Sequence, residues 1–289
     1  MGRGDDGVWT RSCGIFGRLE ATQGNFPRVP GYTAPWGNNR QGGGQVVASA
    51  RWVRGLCWAL VVLAVISALV SLLFATGVLR PPHDVEDLVE RLIANRASDF
   101  AAFPFVVLGS LAGIGVFLLA ALLGVALRSW APATPQRDAM ATIFVIGGVL
   151  GIGSNLLNMA VGNAATFGYC DCGYKTEEVI GQNYALMVGW TMVNWLTLGA
   201  LTLLAAGVAL AGRLVDVSPA WRTVSYLIVL ALLFAVALRV LAELVFIGAF
   251  DPFQVSDLIL AVAGGILVPI WAALLARRAA DSEPGVVTA

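Results

Sequence analysis

Two charged residues, Arg239 and Glu243, lie within a largely apolar run, residues 223–250, that holds no other charge. Their spacing of four places both side chains on one face of a helix, where they can form an ion pair. A charge inside a membrane helix is costly, so such residues normally face the interior of a helix bundle and find a partner there. A carboxylate beside a guanidinium can bind a polar group or act as a general acid or base. The pair is therefore the first candidate for a functional site.

Three asparagines in neighbouring apolar runs reach a similar depth. Arg239 lies about sixteen residues into its run, roughly 24 Å from the inner surface at the helical rise. Asn155, Asn158 and Asn194 fall at about the same level if their runs are helices. We predict a ligand-binding pocket in the outer half of the bundle, formed by Asn155, Asn158, Asn194, Arg239 and Glu243. The alternative is that these side chains only hold helices together, as polar groups do in membrane bundles.

A run of small residues in the third apolar stretch bears on both interpretations. It consists of Gly147, Gly148, Gly151, Gly153 and Ser154. Small side chains beside the asparagines favour a cavity, but glycines at this spacing also serve close packing between helices. The sequence leaves both readings open.

The composition identifies the elements that must hold these residues. The chain has 289 residues, 58% of them hydrophobic and only 12% charged, with a mean hydropathy of +0.78. A soluble domain has about 25% charged residues, so this is a polytopic membrane protein. Backbone groups in lipid must be satisfied internally, and continuous apolar runs of about 20 residues satisfy that requirement as helices. We predict an all-α transmembrane bundle of six spans: 56–79, 103–127, 140–164, 184–211, 223–250 and 257–276.

The segments outside the spans predict the domain organisation and the orientation. Residues 1–50 are rich in Gly and Pro and are predicted to be a disordered cytoplasmic tail, 51–278 form the membrane domain, and 279–289 form a short cytoplasmic C-terminal tail. Arginines cluster in the loops on the side of the N-terminus, which favours the cell inner membrane with both termini in the cytoplasm. Five tryptophans near span ends fit an aromatic belt at the membrane surface: Trp52, Trp58, Trp130, Trp221 and Trp271.

Two outer loops carry further features. Apolar residues at spacings of three and four within 80–100 predict a short amphipathic helix, which is either a solvated connection or a partner site. Cys170 and Cys172 lie in the loop between the third and fourth spans and are disulfide candidates, within one chain or between chains. Metal binding by these thiols and Asp171 is the weaker alternative.

Several kinds of chemistry are excluded or disfavoured by what the sequence contains. His83 is the single histidine, which excludes ligation of haem by two histidines and metal sites that need two. The glycines inside the spans lack the lysine of a phosphate-binding loop, and Ser154 has no histidine for a catalytic triad. The sequence has no basic face with interleaved aromatic residues, so nothing in it indicates nucleic-acid binding. We expect no cofactor and no metal.

The segment 199–227 holds a long Ala, Leu and Gly helix, Arg213, and then Pro219 and Trp221 at the entrance to the next span. This pattern, with an acidic outer loop that ends Ile93, Ala94, Asn95, resembles a family of uncharacterised six-helix bacterial integral membrane proteins with a domain of unknown function. The resemblance covers the topology of residues 52–278. It implies the six-span fold and no activity. That family carries an Arg and Glu pair in its third span, whereas here the pair lies in the fifth.

Three hypotheses for the function follow. The leading one is a non-enzymatic membrane protein that binds or passes a small molecule or lipid through the five-residue pocket, a form of transport. The second is an accessory subunit of a membrane complex, or a homo-oligomer, in which tail, outer loop and cysteines hold partners besides the lipid bilayer. The third is an intramembrane enzyme that uses Glu243 as acid or base.

Overall fold

The fold was analysed in a computed structural model that describes residues 42–79, 88–167, 176–244 and 252–281. These residues form helices joined by short turns and contain no strand, which confirms the predicted all-α class. The helices are α1 (Gly42–Ala75), α2 (Leu88–Arg128), α3 (Pro135–Phe167), α4 (Thr176–Leu214), α5 (Pro219–Leu244), α6 (Pro252–Val262) and α7 (Val268–Asp281), with a π-helical turn (Ala263–Leu267) between α6 and α7.

Six stretches are long and apolar enough to cross a membrane, as predicted. They are Ala50–Ala75, Phe100–Arg128, Pro135–Ala165, Ile180–Leu214, Pro219–Leu244 and Pro252–Asp281. The last one combines α6, the π-helical turn and α7 and is called the sixth span below. The helix described from Leu88 runs without a break into the second span, so the helical part of the predicted surface segment 80–100 is continuous with α2.

The observed helix ends differ from the predicted boundaries in two places. α1 begins at Gly42, inside the segment assigned to the N-terminal tail, and α7 continues to Asp281. The bilayer fixes the length of an apolar stretch, while the hydrogen-bonded helix can extend into its polar flanks. The predicted end of the fifth span at 250 lies outside the described residues, which include α5 up to Leu244. Residues 1–41 and 282–289 lie outside the described part of the chain.

The six spans are arranged as a closed ring. Each span packs against the next one in sequence, and the sixth span packs back against α1. Neighbouring spans are antiparallel, as shown by the contacts of Gly124 with Phe144 and of Gly113 with Asn155, between α2 and α3. The ring is joined between α6 and α1 by the Gln254 side chain, whose Nε2 donates to the Ala75 carbonyl at 2.5 Å. This arrangement leaves an interior that all six spans enclose.

The two ends of the ring differ in their packing. The end that carries the connections 129–134 and 215–218, called the core end, holds the buried apolar cluster of the protein. Its centre is Trp221, fully buried, whose ring stacks on Trp271 with centroids 5.3 Å apart. Trp271 Nε1 donates to Ser225 Oγ at 2.9 Å, and Ser225 Oγ donates to the Trp221 carbonyl at 2.9 Å. The opposite end, where α1, α3 and α5 finish, is called the polar end.

The prediction of an aromatic belt was wrong for Trp221 and Trp271. Both are buried inside the core end, whereas Trp52 and Trp58 are half exposed, at 49% and 55%. The sequence places a residue near a helix end, but it does not determine which face of the helix turns inward. Two of the predicted belt residues therefore close the bundle instead of facing lipid headgroups.

Glycines bring α2 and α3 into close contact. A Cβ at Gly151 would lie 2.1 Å from Phe117 Cδ1, and one at Gly148 would lie 2.8 Å from the Phe117 carbonyl oxygen. A Cβ at Gly124 would lie 2.2 Å from Phe144 Cβ. At these positions the small residues serve helix packing, while a Cβ at Gly153 would meet no atom within 4 Å. Of the two interpretations of the small-residue run, close packing accounts for Gly148 and Gly151.

Candidate functional site

A large cavity lies inside the ring and is lined by residues from all six spans. Its volume is about 1010 Å³, at the upper end of the range for small-molecule sites. All five residues of the predicted pocket line it: Asn155, Asn158, Asn194, Arg239 and Glu243. The five predicted residues therefore share one cavity, and their role in ligand binding stays a prediction.

Arg239 is the centre of a hydrogen-bonded network on one wall of the cavity. It lies five residues before Leu244, the last described residue of α5, which is about 8 Å along the helix. Its guanidinium donates from Nη1 to Asn194 Oδ1 at 2.9 Å and from Nε to Ser256 Oγ at 3.1 Å. Nη2 forms an ion pair with Asp257. One side chain thus joins α5 to both α4 and α6.

Asn194 lies between the arginine and the glutamate. Its side-chain amide accepts from Arg239 at Oδ1 and donates from Nδ2 to Glu243 Oε1 at 2.7 Å. A cation and a carboxylate on opposite sides fix the orientation of the amide, since a flipped amide would turn its NH₂ toward the guanidinium. Asn194 is 5% exposed, so both of its bonds are shielded from solvent by protein.

The predicted direct pair between Arg239 and Glu243 is replaced by this bridge. Within the described residues, the ion pair of the arginine is with Asp257, and Glu243 receives its hydrogen bond from Asn194. Spacing of four on a helix allows the direct pair but does not require it. The neighbouring helices supply a competing carboxylate, that of Asp257, and a bridging amide, that of Asn194. Arg239 bonds to these two groups.

Two residues of the network, Ser256 and Asp257, were missed by the analysis of the sequence. Ser256 Oγ accepts from Arg239 and donates to the Ala235 carbonyl at 3.1 Å, and it is fully buried. Asp257 was taken as the first residue of the sixth span, where a charge needs no explanation. Because α6 begins at Pro252, Asp257 lies in its second turn and reaches the cavity. An acidic residue directly before the apolar run 258–263 was the available signal.

Asn155 and Asn158 line a different part of the cavity wall, on α3. Asn158 Nδ2 donates to Ser110 Oγ of α2 at 3.1 Å, while Asn155 Nδ2 donates to the carbonyl of Gly151 in its own helix at 2.8 Å. Ser154 makes the contact to α4, with its Oγ 2.7 Å from Thr197 Oγ1. The asparagines of α3 therefore share the cavity with Arg239 but do not belong to its hydrogen-bonded network.

The rest of the lining is apolar and extends toward the core end. On α5 the lining residues run from Glu243 to Ile228, a distance of about 22 Å at the helical rise. Leu232 lies between them, and Phe117, Leu123 and Phe144 line the cavity from α2 and α3. Trp271 lines it next to the buried core. The cavity is thus charged near the polar end and hydrocarbon-like near the core end.

Cys57 is not among the residues that line this cavity. Cys57 is a buried free thiol in the core end. Cys170 and Cys172, the disulfide candidates, lie outside the described residues. Over the described ranges no three His, Cys, Asp or Glu side chains are grouped as a metal site would need.

The chain matches no protein-family model, no curated protein and no solved structure. The site is therefore interpreted from its own geometry.

Proposed function

We propose that this multi-pass membrane protein binds or passes an amphiphilic small molecule or lipid through the cavity inside its six spans. One observation carries the proposal: a single cavity joins a charged network at Arg239 and Glu243 to an apolar region that reaches Trp271. A polar head group would be held by charges and amides, and a hydrocarbon tail would lie against Leu123, Phe144 and Leu232. Sites for small molecules have this composition, mostly apolar with a few placed polar groups.

The orientation supports the same proposal. Arginines cluster at the core end: Arg51, Arg54, Arg128, Arg137, Arg213, Arg222, Arg277 and Arg278. By the positive-inside rule this distribution favours a core end in the cytoplasm and a polar network toward the outside. A ligand from the outer leaflet or the outer compartment would meet the charged part of the cavity first.

A pair of substitutions on α5 tests the proposal. Leu232 lines the cavity, whereas Leu230, on the same helix, is 64% exposed on the outside of the bundle. Leu232→Trp adds volume inside the apolar part of the cavity, and Leu230→Trp adds the same volume toward lipid. We expect amphiphiles that copurify with the wild-type protein, detected by native mass spectrometry, to be lost from the first variant and kept by the second.

The same experiment can also refute the proposal. If wild type carries no amphiphile, or if Leu232→Trp retains it at the level of Leu230→Trp, the cavity is not the binding site. Thermal unfolding of both variants, compared with wild type, controls for damage to the fold.

The other two hypotheses stay predictions. An accessory subunit would copurify with a protein partner from native membranes. An enzyme using Glu243 would lose turnover of a substrate when Glu243 is replaced by Gln.

A further inference from the structure

Among the residues that the structure describes, the charges that line the cavity do not balance. The charged lining residues in that part of the chain are Arg239, Glu243 and Asp257. Arg239 and Asp257 form an ion pair, so their charges offset one another. The carboxylate of Glu243 then remains as the extra charge of the lining, and its partner in the network is the neutral amide of Asn194.

Glu243 keeps the capacity to accept further hydrogen bonds. Its Oε1 receives one bond, from Asn194 Nδ2 at 2.7 Å, whereas an ionised carboxylate has about four acceptor positions. Asn194 cannot turn toward a different partner without releasing Arg239, which holds its Oδ1. The carboxylate is thus fixed in place by one donor and faces a cavity in which a ligand can supply others.

An anionic head group fits this arrangement poorly. It would have to compete with Asp257 for Arg239, and it would meet the negative charge of Glu243 on the same wall. Like charges close together in a medium of low dielectric constant repel strongly, and an opposite charge is attracted to the same degree. A cationic head group meets an uncompensated carboxylate and leaves the existing ion pair intact.

Two aromatic residues line the same part of the cavity. Trp190 precedes Asn194 by one helical turn on α4, and Phe253 precedes Asp257 by one turn on α6. Aromatic faces attract ammonium groups, most strongly where water is excluded. Both line the cavity one helical turn from a residue of the network, which adds a second feature that selects for positive charge.

We propose that the ligand is an amphiphile with a single ammonium head group, bound at Glu243 with its hydrocarbon chain in the apolar part of the cavity. This inference rests on the proposed function, because it names the chemical class of the ligand for the same site. The ammonium group neutralises Glu243, and the chain lies along α5 toward Ile228.

Three probes with the same dodecyl chain test the inference. They are dodecylammonium, dodecanol and dodecyl phosphate, titrated onto the full-length protein in lipid nanodiscs below the micelle concentrations of the two ionic probes and the solubility limit of dodecanol. Binding is followed by tryptophan fluorescence, since Trp190 and Trp271 line the cavity. We expect wild type to bind the ammonium probe at least about tenfold more tightly than the other two, a difference of about 1.4 kcal/mol in binding free energy. Empty nanodiscs correct for partition into the lipid.

Glu243→Gln separates the role of the charge from that of the shape. The substitution keeps the size of the side chain and removes its charge, so we expect it to weaken the ammonium probe about tenfold and leave dodecanol unchanged. Preference of wild type for dodecyl phosphate, or equal binding of the three probes, would overturn the ammonium assignment while leaving the proposed function intact. Binding of none of the probes, with no effect of Leu232→Trp, would overturn both. The selectivity of wild type decides the matter even if the glutamine variant fails to fold.

Discussion

Replacement of Asn194 by alanine removes the bridge between the two charges on α5. The substitution deletes the bond from Arg239 Nη1 and the bond to Glu243 Oε1, both of which join α4 to α5. Hydrogen bonds to charged groups contribute about 1.5–3 kcal/mol each in soluble proteins, but bonds inside membrane bundles average about 0.6 and reach about 1.7 kcal/mol. Because both partners here are charged and Asn194 is 5% exposed, we expect Asn194→Ala to cost about 2–3 kcal/mol of unfolding free energy.

Asn155→Ala is the matched control for this prediction. It removes the same atoms from a residue that lines the same cavity, but the Nδ2 bond of Asn155 goes to Gly151 in its own helix. The substitution breaks no hydrogen bond between spans and removes only the packing of the side chain against Gly113 of α2, so we expect a cost below about 1 kcal/mol. The comparison therefore isolates the bridge from the general effect of losing an amide.

The assay is reversible unfolding in bicelles by titration with dodecyl sulfate, followed by the fluorescence of the tryptophans. A double-mutant cycle of Asn194→Ala with Glu243→Gln adds a direct measure of the coupling, for which residues in one network typically give about 0.5–3 kcal/mol. If the two alanine variants lose the same stability within about 0.5 kcal/mol, and the cycle gives additive effects, the bridge does not stabilise the bundle and the reasoning fails.

Two further predictions concern packing and orientation. Gly124→Ala should destabilise the bundle by about 1–3 kcal/mol in the same assay, because its Cβ would lie 2.2 Å from Phe144 Cβ, an atom that side-chain rotation cannot move. Gly153→Ala is the control and should be neutral or slightly stabilising. Equal effects of the two substitutions would contradict the close packing of α2 and α3. In a background without native cysteines, Thr76→Cys at the polar end should react with an impermeant maleimide on intact cells. Ser129→Cys at the core end should react only after the cells are opened. The reverse pattern of labelling would show that the orientation is inverted.

The sequence was sufficient for the elements and for the depth of the polar residues. Apolar runs in lipid must be helical, and the helical rise converts a residue number into a depth, so Asn194 and Arg239 could be placed at one level before any contact was known. Depth alone did not give the partners. Asp257 reaches Arg239 because α5 and α6 are neighbours and α6 begins at Pro252, and neither fact follows from hydropathy.

Rotation of a helix about its axis was the second quantity that the sequence did not supply. Trp221 and Trp271 lie near helix ends, where tryptophans often face the membrane surface, yet here they stack on each other inside the core end. Their partner Ser225 lies one turn from Trp221, on the same face of α5. The buried face becomes apparent only when the facing helix is known, because both faces of these spans are apolar.

The polar residues were interpreted either as stabilising the packing of the helices or as binding a ligand. These two roles apply to different residues of one network. Arg239 bonds to α4 and α6 at the same time and is paired with Asp257, which are the contacts of a residue that holds spans together. Glu243 is held by Asn194 alone within the network and lines the cavity with acceptor positions to spare.

Substitutions can therefore separate the two roles. Loss of Asn194 should weaken the bundle, since it removes bonds between spans, and loss of the Glu243 charge should alter the selectivity of the cavity with a smaller effect on stability. If Glu243→Gln instead destabilises the protein as much as Asn194→Ala and leaves probe binding unchanged, the whole network only stabilises the packing of the spans. The ligand must then be recognised elsewhere in the cavity.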